Sequence, residues 1–310
     1  MEHQNNIAKF AFFYMLSLVS LVFMSMATGM IIFQIINKNI IDLINEYSAR
    51  YSPEQLKFAI SALIVSVPVY YLTMRQIHKN LFSGALNKDS GVRKWLTYFV
   101  LLVSSVVMIS WFIGTINGFL DGELTLKFIL KSLTAIGIAA IIFSFYLYDI
   151  KRESVENQKD KVIKFYLIGS LVLILSVFTA SLFFVESPQE TRNRKLDNAV
   201  LQKFDEIDMA MNEYYNEYKK LPENLEKIKD EFVYITEKDL LNPITEKKIE
   251  YKVVGEKSFE LCSDFKTSNE EEAVERNGSY KDRWLHESGY QCLKQKVREN
   301  NIPKETILRF

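Results

Sequence analysis

The sequence predicts a membrane all-α bundle of five transmembrane helices, followed by a small extracytoplasmic α+β domain. In that domain a long N-terminal helix packs on an antiparallel sheet. Three observations carry this expectation. Phe165 to Val185 holds 21 residues without a charge, followed at once by Glu186, Ser187 and Pro188, and about 20 apolar residues cross a bilayer core as a helix. Long uncharged runs dominate everything before this stretch. Everything after it is polar and charge-rich, and contains both cysteines of the chain. The boundary therefore falls at residue 186, with a bundle over 1–186 and a second domain over 187–310.

Composition alone hides this division, because the whole chain has a net charge of zero. Residues 1–186 hold 16 Lys+Arg against 12 Asp+Glu, while residues 187–310 hold 22 against 26. No basic block points to nucleic acid. The cationic excess of the first part instead suits a rule of membrane orientation.

In chain order, Phe10 to Asn37 runs 28 residues without a charge. A secretory signal has an apolar core of only about 7–15 residues, so this run predicts an uncleaved membrane helix over about 10–37. Asp42 to Lys57 is a polar connection, read as a surface-lying continuation. The second span, 58–74, lies between Lys57 and Arg75 and carries Tyr70 and Tyr71 toward its end, where amphipathic rings favour an interface. The third, 95–120, is opened by Trp95 and Tyr98. The fourth, 132–148, closes with Phe145, Tyr146 and Tyr148. The fifth is 165–185.

Loop cations predict the orientation. Arg75, Lys79, Lys88, Arg93 and Lys94 lie in one loop, and Lys151, Arg152, Lys159, Lys161 and Lys164 in another. The remaining two loops are poorer, with Lys38, Arg50 and Lys57 in the first and Lys127 and Lys131 in the third. The positive-inside rule puts the two rich loops in the cytoplasm. Five crossings then place the N-terminus inside and residues 187–310 outside. No ionisable residue falls in mid-span, where it would mark a functional site. Lys131 is expected to snorkel outward, and His78 to sit at the cytoplasmic interface, with no second histidine at ligand spacing. Ser25 with Gly29, and Ala135 with Ala139, are spaced to let helices approach closely. Ser104, Ser105, Ser110, Gly114 and Thr115 either bond neighbouring backbone or line a polar path.

The segments "ISALIVSVPVYYLTMRQIHKNL" (Ile60–Leu81), "DSGVRKWLTYFVLLVSSVVMI" (Asp89–Ile109) and "LTAIGIAAIIFSFYLYDIKRE" (Leu133–Glu153) resemble a family of bacterial membrane domains of unknown function. The resemblance covers about residues 8–153 and implies a bundle of about four helices. It implies no activity and no catalytic residues.

After Pro188 the periodicity changes. Leu196, Val200, Phe204, Ile207, Met211, Tyr214, Tyr215 and Tyr218 recur every three or four residues, which predicts a one-faced helix of about eight turns. Leu221-Pro222 is expected to stop it, and Glu223–Lys229 to form a short second helix. Strands are expected at Phe232–Thr236, Ile249–Val254 and Ser258–Ser263, with a last one at Gly289–Val297. Asn269–Asn277 reads as an acidic loop. The segments "NAVLQKFDEIDMAMNEYYNEYKKLPENLEKI" (Asn198–Ile228) and "LLNPITEKKIEYKVVGEKSFELCSD" (Leu240–Asp264) are similar to the soluble part of type IV pilins and pseudopilins. That resemblance implies a long helix on a small antiparallel sheet. It departs from those families in two respects: their apolar helix stands at the N-terminus, whereas here it is the fifth span, and the calcium loop of some pseudopilins has no clear match.

Cys262 and Cys292 fall in the domain assigned to the outside, where disulfides persist, and a disulfide is the expected state. Zinc asks for four ligands, and Cys262, His286 and Cys292 offer three without paired short spacing. No GxSxG, HExxH, phosphate loop or CxxC occurs, so neither an enzyme nor a cofactor is expected. A groove formed by Tyr214, Tyr218, Trp284 and Tyr290 is the one candidate binding surface of this domain. The expected partners are the lipid bilayer and a protein outside the cytoplasm or in the membrane. The alternative is a transporter, channel or small-molecule sensor that uses the bundle.

Overall fold

The computed structural model describes residues 2–40, 50–84, 86, 89–152, 160–269 and 282–298. Residues 42–49 of the expected surface-lying connection, Lys88, Lys159 and nearly all of the acidic loop lie outside the described residues, and the end of that connection, from Pro53, is the start of α2. The chain divides into two compact units, Met1–Val185 and Glu186–Phe310.

The first unit consists of α1 (Glu2–Asn39), α2 (Pro53–Phe82), α3 (Gly91–Leu120), α4 (Leu126–Lys151) and α5 (Lys161–Leu182). All five are long and apolar enough to cross a membrane. Each helix starts before its predicted span because local capping, not the first charge, sets its start; α5 begins at Lys161 but ends at Leu182, short of the predicted Val185. Ser52 caps α2 by accepting from the Gln55 amide, with Pro53 at the first helical position, where a missing N–H costs nothing. Thr125 caps α4 at the Phe128 amide, and Asp160 caps α5 at the Val162 and Ile163 amides. Between α3 and α4 the chain reverses through Gly122 at φ +72°, a backbone region that favours glycine.

Helix α1 packs along α2 and α3 along α4, and α1 also touches α3, α4 and α5. Ala27, Ile31, Leu56, Leu63, Ile77 and Leu81 form the tightest part of the core. A β-carbon at Gly29 would stand 3.6 Å from Ile138 Cδ1, an ordinary contact, so the approach of α1 to α4 does not require glycine at this position. Ser104, Ser105 and Ser110 donate to the carbonyls of Val100, Leu101 and Val106, and Thr115 to that of Trp111. The serine hydroxyls thus bond within their own helix, and Thr115 also reaches Ser132 Oγ of α4 at 3.1 Å. The outward faces of α3, α4 and α5 expose Trp95, Tyr98, Ile109, Leu133 and Val172, which suits a hydrocarbon surround.

The second unit contains α6 (Pro188–Tyr218), α7 (Leu225–Glu231), β1 (Glu250–Gly255), β2 (Ser258–Phe265) and β3 (Gly289–Lys296). Helix α6 starts eight residues before the first residue of the predicted apolar stripe, because Ser187 caps it at the Glu190 amide and Pro188 opens it. Lys219 ends it in the left-handed region at φ 55°, before Pro222 is reached. The strands form one antiparallel sheet in the order β1-β2-β3. Phe259, Leu261 and Phe265 alternate along β2 and, with Leu293, meet Val200, Phe204, Ile207 and Met211 of α6 in one core. Alternation puts Cys262 on the opposite face of the sheet.

One expected strand is absent. Phe232–Thr236 forms a turn with the Ile235 amide bonded to the Phe232 carbonyl, and a 3₁₀ turn follows at Glu237–Leu240. Its inward residues, Phe232 and Ile235, are three apart, while Val233 is 98% exposed. A spacing of three suits a turn, and alternation would have put Val233 and Ile235 on opposite faces from Phe232 and Tyr234. After it, buried Asn242 holds the Asn-Pro turn, accepting from the Ile244 and Thr245 amides and donating to Ser263 Oγ.

Candidate functional site

Two polar arrangements in the first unit were not foreseen as sites. The first joins α3, α4 and the start of α5. Arg93 is 2% exposed; its Nη2 donates to the Asp149 carbonyl at 2.6 Å and to Asp149 Oδ2 at 2.9 Å. Arg152 reaches the other Asp149 oxygen and lies 3.6 Å from Asp160 Oδ2. Tyr148 donates to the same Asp160 oxygen at 3.0 Å. Burial opposes ionisation of Asp160, but the bonds from Tyr148 and from the Val162 and Ile163 amides, with Arg152 alongside, hold its carboxyl below the usual range. Sequence counting treated Arg93 and Arg152 as loop cations; the fold uses both as a clasp between helix ends. A separate small cavity of about 80 Å³ lies nearby, lined by His78, Tyr70, Tyr71, Tyr146 and Ser170.

The second arrangement is a cavity of about 750 Å³ between α1, α3 and α4. Ligand sites commonly measure about 300–1,000 Å³ and are mostly apolar with a few placed polar groups, and this cavity has that character. Leu18, Val22, Met26 and Met30 line it from α1, Val103 and Val107 from α3, and Ala135 and Ile138 from α4. At one end it becomes polar, with Gln34, Asn37, Arg50, Gln55 and Lys131. Gln34 Nε2 donates to Gln55 Oε1 at 2.7 Å, and Gln34 Oε1 accepts from the Ser52 amide. Asn37 Nδ2 donates to the Arg50 carbonyl at 3.1 Å. Its Oδ1 is buried and accepts no hydrogen bond. Lys131 lines this end: its ammonium stands 5.8 Å from the Phe33 ring centre, a cation–π arrangement.

A family of domains of unknown function, DUF5671, matches residues 11–146. The match runs from α1 into α4 and therefore takes in the cavity, stopping short of Asp149 and the second unit. No curated protein and no solved structure matches the chain. The similarity to pilins consequently rests on element order alone.

In the second unit, the expected groove residues do not meet on one surface. Trp284 is buried, donates from Nε1 to Asp205 Oδ1 at 2.6 Å and packs edge-on against Phe204. Tyr214 lies nine residues further along α6, roughly 14 Å at helical rise, where it is buried and stacks near Tyr218. Tyr218 donates to Glu231. Tyr290 is exposed on β3 opposite Asp264. Trp284 and Tyr214 are thus core residues at separate levels of the helix. The physical reason is the length of α6: residues nine positions apart on it cannot share a small pocket.

Cys262 and Cys292 form a disulfide between directly opposed positions of β2 and β3. Their Cα atoms are 4.0 Å apart, below the expected window of about 4.4–6.8 Å and nearer to a close cross-strand pair of about 4.5 Å. Glu260 lies beside the two sulfurs, but sulfurs bonded to each other do not serve as thiolate ligands. His286 is buried and stacks on Phe265 with ring centres 3.9 Å apart, so it belongs to the core. Asp197 of α6, 1% exposed, was also not anticipated; it accepts from the Lys266 and Thr267 amides and the Thr267 hydroxyl.

Proposed function

We propose that the chain is a multi-pass membrane protein that holds its N-terminus in the cytoplasm and displays residues 187–310 outside it as an interaction domain. The observation that carries this reading is the second unit itself, with its own core and a disulfide, following directly on the fifth apolar helix. The cation-rich loops support the orientation. The reading includes no catalysis. Affinity capture from native membranes, with residues 187–310 as bait and the bundle as control, tests it. A discrete partner retained only by the bait agrees with the reading. The same proteins on both baits contradict it.

The cavity favours a second reading, in which the bundle receives a small molecule. Serine and threonine hydroxyls bonded within their own helices argue against a polar conduit.

A further inference from the structure

We propose that the cavity between α1, α3 and α4 binds one acyl chain of a phospholipid whose phosphate faces Arg50 and Lys131 and whose headgroup donates a hydrogen bond to Asn37. This rests on the small-molecule reading of the bundle and names its ligand class. The first argument is the gradient of polarity. The α1 wall from Leu18 to Met30 is apolar apart from Ser25, whose hydroxyl bonds the Val22 carbonyl. At helical rise that wall is about 18 Å long, close to one leaflet's share of a hydrocarbon core about 30 Å thick. Amides and cations gather only at the far end. An amphiphile has that same order along its length.

The second argument is charge and hydrogen bonding. Two cations and no carboxylate line the cavity among the described residues. Asn37 Oδ1 adds a buried acceptor with no donor, oriented by the bond from its own Nδ2 to the Arg50 carbonyl. A buried unsatisfied oxygen costs about 1–3 kcal/mol. A hydroxyl or ammonium of a headgroup would remove that cost beside the phosphate. The third argument is access. Val22, Phe23 and Met26 line the cavity and are also exposed on the bundle surface, so a chain enters sideways from the bilayer.

Native mass spectrometry of the delipidated full-length protein tests the assignment. The probes are phosphatidylglycerol, which carries hydroxyl donors, phosphatidylcholine with the same chains, which carries none, and inorganic phosphate. The expected result is one phosphatidylglycerol per chain, held at least about tenfold more tightly than phosphatidylcholine, about 1.4 kcal/mol, because only the glycerol hydroxyls can donate to Asn37 Oδ1. Asn37→Leu should remove that preference, and Lys131→Gln should weaken binding of both lipids, since both carry the phosphate. Val22→Trp or Val107→Trp should lower binding of both lipids at least about tenfold; both residues are exposed on the cavity rim, so neither change displaces the core. Equal binding of both lipids, undiminished by either tryptophan, means annular lipid and overturns the proposal. Displacement of phosphatidylglycerol by inorganic phosphate at equal concentration assigns the cations to a free anion and also overturns it. A different molecule that copurifies with the wild type and is lost in Val22→Trp overturns the phospholipid assignment while leaving the small-molecule reading in place.

Discussion

Arg93 of α3 and Asp149 of α4 form a buried pair in which one guanidinium nitrogen serves both the side chain and the main-chain carbonyl of the aspartate. Asp149 also takes Arg152, three residues further on. Removing the shared carboxylate therefore takes an ion-pair partner from both Arg93 and Arg152, Arg152 keeping Asp160 alongside, whereas removing Arg93 leaves Asp149 with Arg152. Deleting one partner of a buried pair costs about 3–5 kcal/mol. Asp149→Leu should destabilise the bundle by that amount and Arg93→Met by less. Denaturant unfolding of the full chain in micelles measures the difference. Equal, small losses at both positions would show that the clasp does not hold α3 to α4.

The disulfide gives a second expectation. Cys262 and Cys292 are separated by 30 residues, and a closed loop of that size stabilises by about 3–4 kcal/mol in the chain-entropy model. Cys262→Ser and Cys292→Ser should each lower the melting temperature of the second unit as much as chemical reduction does, and the double replacement no further. Mass spectrometry of non-reduced peptides from the native membrane should find the two joined; two free thiols there would contradict the pairing.

Lys203 of α6 reaches Asp239 of the 3₁₀ turn at 2.6 Å, and Asp239 also accepts from the Thr236 amide and hydroxyl. Burial opposes ionisation of Asp239, yet these bonds outweigh it and hold the carboxyl down at about 2. Its folded value lies below the unfolded value of about 3.9, so the stabilisation is present above about pH 4 and is lost as pH falls toward 2. The bond to Asp239, with Glu206 adding to it, raises Lys203 above its ordinary value, so that contribution is present below about pH 10 and is lost at higher pH. Asp239→Asn should cost about 1 kcal/mol near neutrality, the upper range for a pair that is partly exposed, and should flatten the acid limb of stability. An unchanged limb between pH 4 and 2 would remove Asp239 from the account.

Residues 187–310 expressed in an oxidising compartment should fold alone, because α6 buries its apolar face on its own sheet. Circular dichroism should show mixed helix and strand with one cooperative melt. A disordered fragment would mean that the unit depends on the bundle.

The five apolar helices were legible because an uncharged run of the right length has few other uses. The three strands of the sheet were legible from alternation at Phe259, Leu261 and their neighbours. Phe232–Thr236 was misread because a short apolar segment carries no period long enough to separate a turn from a strand. Arg93, Asp149 and Asp197 were invisible as structural groups: a charge in a sequence does not name its partner, and these partners lie 56 to 70 residues away. The cavity was beyond reach for the same reason, since its walls come from α1, α3 and α4 and its polar end also draws on Arg50 and on Gln55 of α2. Trp284 and Tyr214 were chosen for aromatic character, which serves a core as readily as a groove.

The central claim is the placement of the two units, and labelling in intact cells with a membrane-impermeant maleimide tests it most directly. In a Cys262→Ser, Cys292→Ser full-length background, Lys220→Cys in the second unit should label without permeabilisation. Lys164→Cys, at the start of α5, should label only after the membrane is opened. The reverse pattern at both positions would contradict the orientation and the display of residues 187–310 outside the cytoplasm.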